Sequence, residues 1–77
     1  MKEYLVVYEE GANGWSAFLP DIDGVFATGR SREAVEQHIL EAAQAHVDWL
    51  LREGDPVPEP TCKAGTINIT ADQAVPA

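Results

Sequence analysis

Apolar positions fall first into three short runs and then into one long periodic stretch. YLVVYE, residues 4 to 9, is rich in β-branched and aromatic side chains and predicts a strand with apolar groups on both faces. Asn13-Gly14, inside EGANGW, readily takes positive φ and turns the chain into a second strand, WSAFLP at 15 to 20, whose regular pairing ends at Pro20. Asp21-Ile22-Asp23-Gly24 is turn chemistry again, and VFAT at 25 to 28 follows as a third short strand. Together they predict an antiparallel meander.

Gly29 breaks the third strand, and Ser31 is placed to cap a helix. Its hydroxyl can accept an orphan backbone N–H of the first turn, while Glu33 suits the positive end of the helix dipole. Val35, Ile39, Ala42, Ala43, His46 and Leu50 recur at helical spacing, with Gln37, Glu41, Gln44 and Asp48 opposite, so one face packs on the sheet. Trp49 and Leu51 widen that stripe beyond what a small sheet needs, which suits either an interface or a sheet that wraps the helix. Gly54 is the stop signal. DPVPEP then carries prolines at 56, 58 and 60 and reads as an extended connector, and GTINIT at 65 to 70 as a last short strand. The tail ADQAVPA has too little apolar surface to fold alone and is expected to fray.

The order β-β-β-α-β predicts an α+β fold: a three-stranded antiparallel meander, one helix on one face and a further short strand. The domain is expected to span residues 1–70, with a flexible tail at 71–77. Alternate residues of the first two strands, Tyr4, Val6 and Tyr8 against Leu5 and Val7, then Trp15, Ala17 and Leu19 against Phe18, offer apolar groups to both sheet faces. One helix covers only one of them. The second face or an exposed edge is therefore expected to meet another chain, either a second copy or a different protein.

Composition sharpens this picture. At 77 residues the chain is one small domain, and thirteen acidic residues against five Lys and Arg give a net charge of −8. That charge repels phosphate backbones, so direct nucleic-acid binding is not expected, and a basic partner surface is. Cys62 is the one cysteine, which excludes an internal disulfide and a cysteine metal cluster. With no secretory signal and no apolar run long enough to cross a bilayer, the reading is cytoplasmic, without membrane contact, and Asn68-Ile69-Thr70 matches a glycosylation sequon by chance.

Candidate chemistry is sparse. Lys63 beside Cys62 can lower a thiol pKa, but no motif of a cysteine enzyme surrounds the pair. His38 and His46 lie about two helical turns apart, too far to share a metal, and His46 sits on the apolar face as a core or interface residue. Glu9, Glu10, Asp21, Asp23 and Asp48 are carboxylates that a magnesium site would need, yet Asp21 and Asp23 sit where turns favour aspartate for backbone reasons. Thr28-Gly29-Arg30-Ser31 is explained by a cap and a permissive glycine without an anion. No catalytic residue, metal or cofactor is expected. Tyr8, Trp15, Phe18, Phe26, His38 and Trp49 are the expected partner or oligomer contacts, five of them aromatic anchors of the kind that dominate interfaces.

An ordered set of residues resembles the HicB-like antitoxins. It comprises Tyr4-Leu5-Val6-Val7, Gly14-Trp15, Leu19-Pro20-Asp21, Gly24-Val25, Ala27-Thr28-Gly29, Ser31 with Glu33-Ala34, Glu41-Ala42, His46, and Gly54-Asp55-Pro56 with Pro58-Glu59-Pro60. The resemblance covers residues 4 to 60. It implies a partial ribonuclease H-like fold without the catalytic acidic cluster, and a non-enzymatic domain that blocks a small basic, mRNA-cleaving HicA-like toxin. With the double-sided strands, the expected assembly is a homo-oligomer, a dimer or a tetramer. Many relatives carry a C-terminal DNA-binding segment; here only GTINIT and a short tail follow the proline run, so operator binding is not expected. The alternative is a stand-alone homo-oligomer with a structural or small-ligand-binding role and no toxin.

Overall fold

The computed structural model describes residues 2–71. Three strands, β1 (Val7–Gly11), β2 (Gly14–Phe18) and β3 (Phe26–Gly29), precede one helix, α1 (Arg32–Glu53). The sheet is antiparallel in the order β1-β2-β3, as the alternating pattern and the turn residues predict. The Asn13-Gly14 hairpin sets a register in which Val7 stands opposite Phe18, and Phe18 opposite Phe26. β1 begins at Val7 rather than at the expected Tyr4: its partner β2 ends at Phe18, so residues 4 to 6 have no strand to pair with and run extended beside the loop after β2. Leu19 and Pro20 likewise lie outside β2.

Helix α1 is bounded as its caps dictate. Ser31 is extended, at φ −136, and its hydroxyl accepts the Ala34 N–H at 3.1 Å. Gly54 closes the helix in the left-handed conformation at φ 73, its N–H returning to the last carbonyls, which a side-chain-bearing residue does less readily. The surface is laced by polar pairs one turn apart, Gln37 to Glu41 and Gln44 to Asp48.

Only Arg30 and Ser31 connect β3 to α1, and this tether places the helix over β3 and β2, leaving β1 to one side. The approach is close because Gly29 has no side chain: a Cβ there would lie 2.8 Å from the Val35 backbone nitrogen. Ala17 and Ala27, partners on adjacent strands, keep the sheet surface low beneath the helix. Val35 and Ile39 descend onto it and, with Leu19, Ile22 and Val25 from the connection between β2 and β3, complete the buried core. Ala42, Ala43, Val47, Tyr4, Val6, Tyr8 and Trp15 pack around it.

Beyond Gly54 the chain returns along the start of the sheet. The Tyr4 hydroxyl donates to the Pro58 carbonyl, and Lys2 pairs with Glu59. Residues 65 to 70, the expected last strand, form no regular element and pair with nothing among the described residues; Ile67 and Ile69 are 81% and 73% exposed. Of the expected tail, residues 72–77 lie outside the described part.

Ile39→Ala empties the middle of a small core and is expected to lower unfolding free energy by about 3 kcal/mol in urea titrations. Gly29→Ala forces the helix off β3 and is expected to cost about 1–3 kcal/mol, with far-UV circular dichroism showing the helix retained.

Candidate partner interface

The register sorts apolar residues onto two sides of one thin sheet. Because Ala17 and Ala27 point into the core, their neighbours Phe18 and Phe26 point the other way, in line with Val7 across the three strands. No element covers this row among the described residues, and Phe18 and Phe26 are 40% and 72% exposed. The next row along the same face is polar, with Glu9 opposite Ser16 and Ser16 opposite Thr28. The outer face is thus an apolar strip bordered by hydroxyls and a carboxylate.

The helix side holds a second apolar surface. Since α1 sits over β3 and β2, the flank toward β1 stays open as a groove of about 780 Å³. Tyr4, Val6 and Tyr8 form its sheet wall, Leu40, Ala43, Val47 and Leu51 its helix wall, and Val57 lies at its end. A helix of 22 residues is about 33 Å long, whereas five-residue strands reach only about 17 Å. The last turns of α1 therefore run past the sheet, which is why Trp49 and Leu51 extend the apolar stripe.

The six expected contact residues separate into distinct places. Phe18 and Phe26 stand side by side on the outer face. Tyr8 and Trp15 lie half-buried on the helix side, Tyr8 beneath the Arg32 guanidinium at 4.6 Å from the ring centre. His38 is exposed on the helix flank, its Nδ1–H donating to the Thr28 carbonyl at 2.8 Å. Trp49 lies at the overhanging end of α1, its ring 6.0 Å from that of His46. Sequence reasoning passed over Val7 and Leu40. Val7 is legible from strand alternation once the register is known, and Leu40 lies just outside the stripe that the helical period defined.

Asp21 has a specific task. Its carboxylate accepts the Thr61 N–H at 3.0 Å, the Thr61 hydroxyl at 2.9 Å and the Cys62 N–H at 3.0 Å, clasping the outgoing chain to the turn after β2. The Cys62 backbone N–H above all, aided by Thr61, holds this carboxyl below its ordinary value of 3.8. Reciprocally, a hydrogen bond to the Asp21 carboxylate, together with desolvation, pushes the Cys62 thiol above its ordinary value of 9.0. Lys63 does not dominate that thiol as its sequence position suggested. Among the described residues no three or more His, Cys, Asp and Glu gather into a group that would hold a metal ion.

A depressed carboxyl pKa stabilises the clasp above the unfolded pKa, and that contribution is lost as pH falls through the folded one. Amide resonances of Thr61 and Cys62, followed by NMR from neutral to strongly acidic solution, are expected to shift with a midpoint below 3.8. Asp21→Asn removes the charge that opposes the thiolate, and alkylation of Cys62 in mildly alkaline buffer is expected to become several-fold faster.

Comparison with known proteins gives one informative match. A family model described as the HicB-like antitoxin of bacterial toxin-antitoxin system matches residues 4–75. No curated protein and no solved structure matches the chain. No helix among the described residues is long and apolar enough to cross a membrane. The match takes in the meander, the capped helix and the clasped proline segment, with the uncovered apolar strip among them, and the chain belongs to the HicB-like antitoxins of bacterial toxin-antitoxin systems.

Proposed function

We propose that the chain is a non-enzymatic cytoplasmic antitoxin that neutralises a small basic, mRNA-cleaving toxin of the HicA-like kind by covering its RNA-contacting surface. The observation that carries this reading is the uncovered Val7-Phe18-Phe26 strip on a chain of net charge −8 that belongs to an antitoxin family. The two aromatic rings supply anchors that desolvate on docking. Glu9 beside the strip and the net charge of −8 of the whole chain steer the encounter toward a basic surface and disfavour acidic partners. Blocking is steric and needs no chemistry from the antitoxin itself. Self-association of the antitoxin is part of the same reading, because the helix-side groove and the sheet edges remain open when the outer face is engaged.

The direct test mixes the purified chain with a purified HicA-like toxin and monitors cleavage of an RNA substrate. Stoichiometric suppression of cleavage supports the reading; unabated cleavage in the presence of excess chain overturns it. Phe26→Glu is expected to weaken the complex about thirtyfold, or about 2 kcal/mol, with little change in the unfolding midpoint, because the ring is 72% exposed in the monomer. Titration calorimetry at rising salt is expected to show falling affinity, and salt-independent binding contradicts the electrostatic part.

A further inference from the structure

We propose that residues 65–70 are an exchanged strand: in a homodimer the segment of each copy adds to the outer edge of the partner's β1 and seats Ile67 and Ile69 in the partner's helix-side groove. The inference rests on self-association as part of the proposed function, and on nothing about a toxin.

Four observations lead to it. First, the segment has the alternation of a strand yet pairs with nothing among the described residues. Thr66, Asn68 and Thr70 alternate with Ile67 and Ile69, so both isoleucines share one face, and both stand in solvent. Second, the segment projects from the body. The Cα radius of gyration is 16.6 Å, with extents of 60 × 28 × 20 Å, against about 11 Å expected of a compact chain of this size. The accessible surface of 6298 Å² likewise exceeds the roughly 4600 Å² of a compact monomer of 8.4 kDa. That excess is larger than the about 800 Å² each partner contributes to an interface of standard size.

Third, the receiving site has the matching form. β1 is an edge strand, hydrogen-bonded in the sheet to β2 alone among the described residues. A strand laid along its outer edge points alternate side chains to the helix side, into the groove between Tyr4, Val6 and Tyr8 and Leu40, Val47 and Leu51. Residues 60 to 71 contain no acidic residue and one lysine, so the segment approaches Glu9 and Glu10 of an otherwise acidic chain without repulsion. Fourth, the root of the segment is fixed. Pro56, Pro58 and Pro60 stiffen the connector, and the Asp21 clasp on Thr61 and Cys62 holds it beside the start of β1, leaving residues 63 onward free to leave the body. Two copies related by a two-fold axis next to these roots each receive the other's segment running parallel to β1.

Intermolecular paramagnetic relaxation tests this directly. A spin label is attached at Asn68→Cys in a Cys62→Ser background and that protein is mixed with an isotope-labelled, spin-free chain. Selective broadening of the amides of residues 4 to 9 in the spin-free chain is expected. Broadening confined to the outer face around Phe18 and Phe26, or to the overhanging end of α1, shows dimerisation by another surface and overturns strand exchange while leaving self-association standing. A monomer at millimolar concentration, or no broadening anywhere in the spin-free chain, overturns both. As an independent readout, Ile67→Asp with Ile69→Asp is expected to raise the dimer dissociation constant about a hundredfold, measured by sedimentation, with helix content unchanged. An unchanged dissociation constant in that variant also overturns the exchange. None of these results bears on RNA cleavage by a toxin, so strand exchange and toxin neutralisation fail separately.

Discussion

Everything in this fold depends on how closely one helix approaches two alanines. Ala17 and Ala27 face each other on β2 and β3, and their small side chains leave a shallow bed into which Val35 and Ile39 sink until almost no surface remains. Gly29 completes the approach, since any Cβ there would press on the backbone at Val35. Larger residues at these three positions would lift the helix, and the same contact that fills the core would open a gap. A domain of this size has no second layer with which to compensate.

That contact also determines what stays uncovered. A two-residue connection sets α1 above β3 and β2, so among the described residues β1 keeps both an unpaired edge and an open apolar flank. The outer face is left bare because a single helix lies on a single side. An independent globular protein would cover such surfaces, whereas a protein whose work is to meet other chains retains them. The outer strip and the helix-side groove lie on opposite sides of the sheet.

Asp21 links the two ends of the chain in a way that gives the closing segment a defined starting point. A carboxylate with three donors aimed at it is held ionised through ordinary pH, so pH changes in the neutral range do not remove the charge that accepts from Thr61 and Cys62. The prolines before it limit the directions the chain can take. Past Cys62 the chain leaves the body and reaches residues 65 to 70 unpaired, which is the geometry under which exchange between copies replaces closure within one.

Local chemistry determined the parts of this protein that local chemistry can decide. Ser31 and Gly54 bounded the helix, Asn13-Gly14 the hairpin, and the apolar spacing of Val35 and Ile39 the buried stripe, because caps, turns and periodicity act over a few residues. The double-sided strands by themselves implied an uncovered face. Which residues share that face was decided by the sheet register, which sets Val7, Phe18 and Phe26 in one row and turns Tyr8 and Trp15 inward. The tie between Asp21 and residues forty positions away left no mark in the sequence beyond a turn-forming aspartate, because it exists only after the helix has carried the chain back past the sheet. The fate of residues 65 to 70 was likewise open, since alternation predicts that a segment is fit to be a strand but not which edge it finds; that depends on where the tertiary structure delivers it.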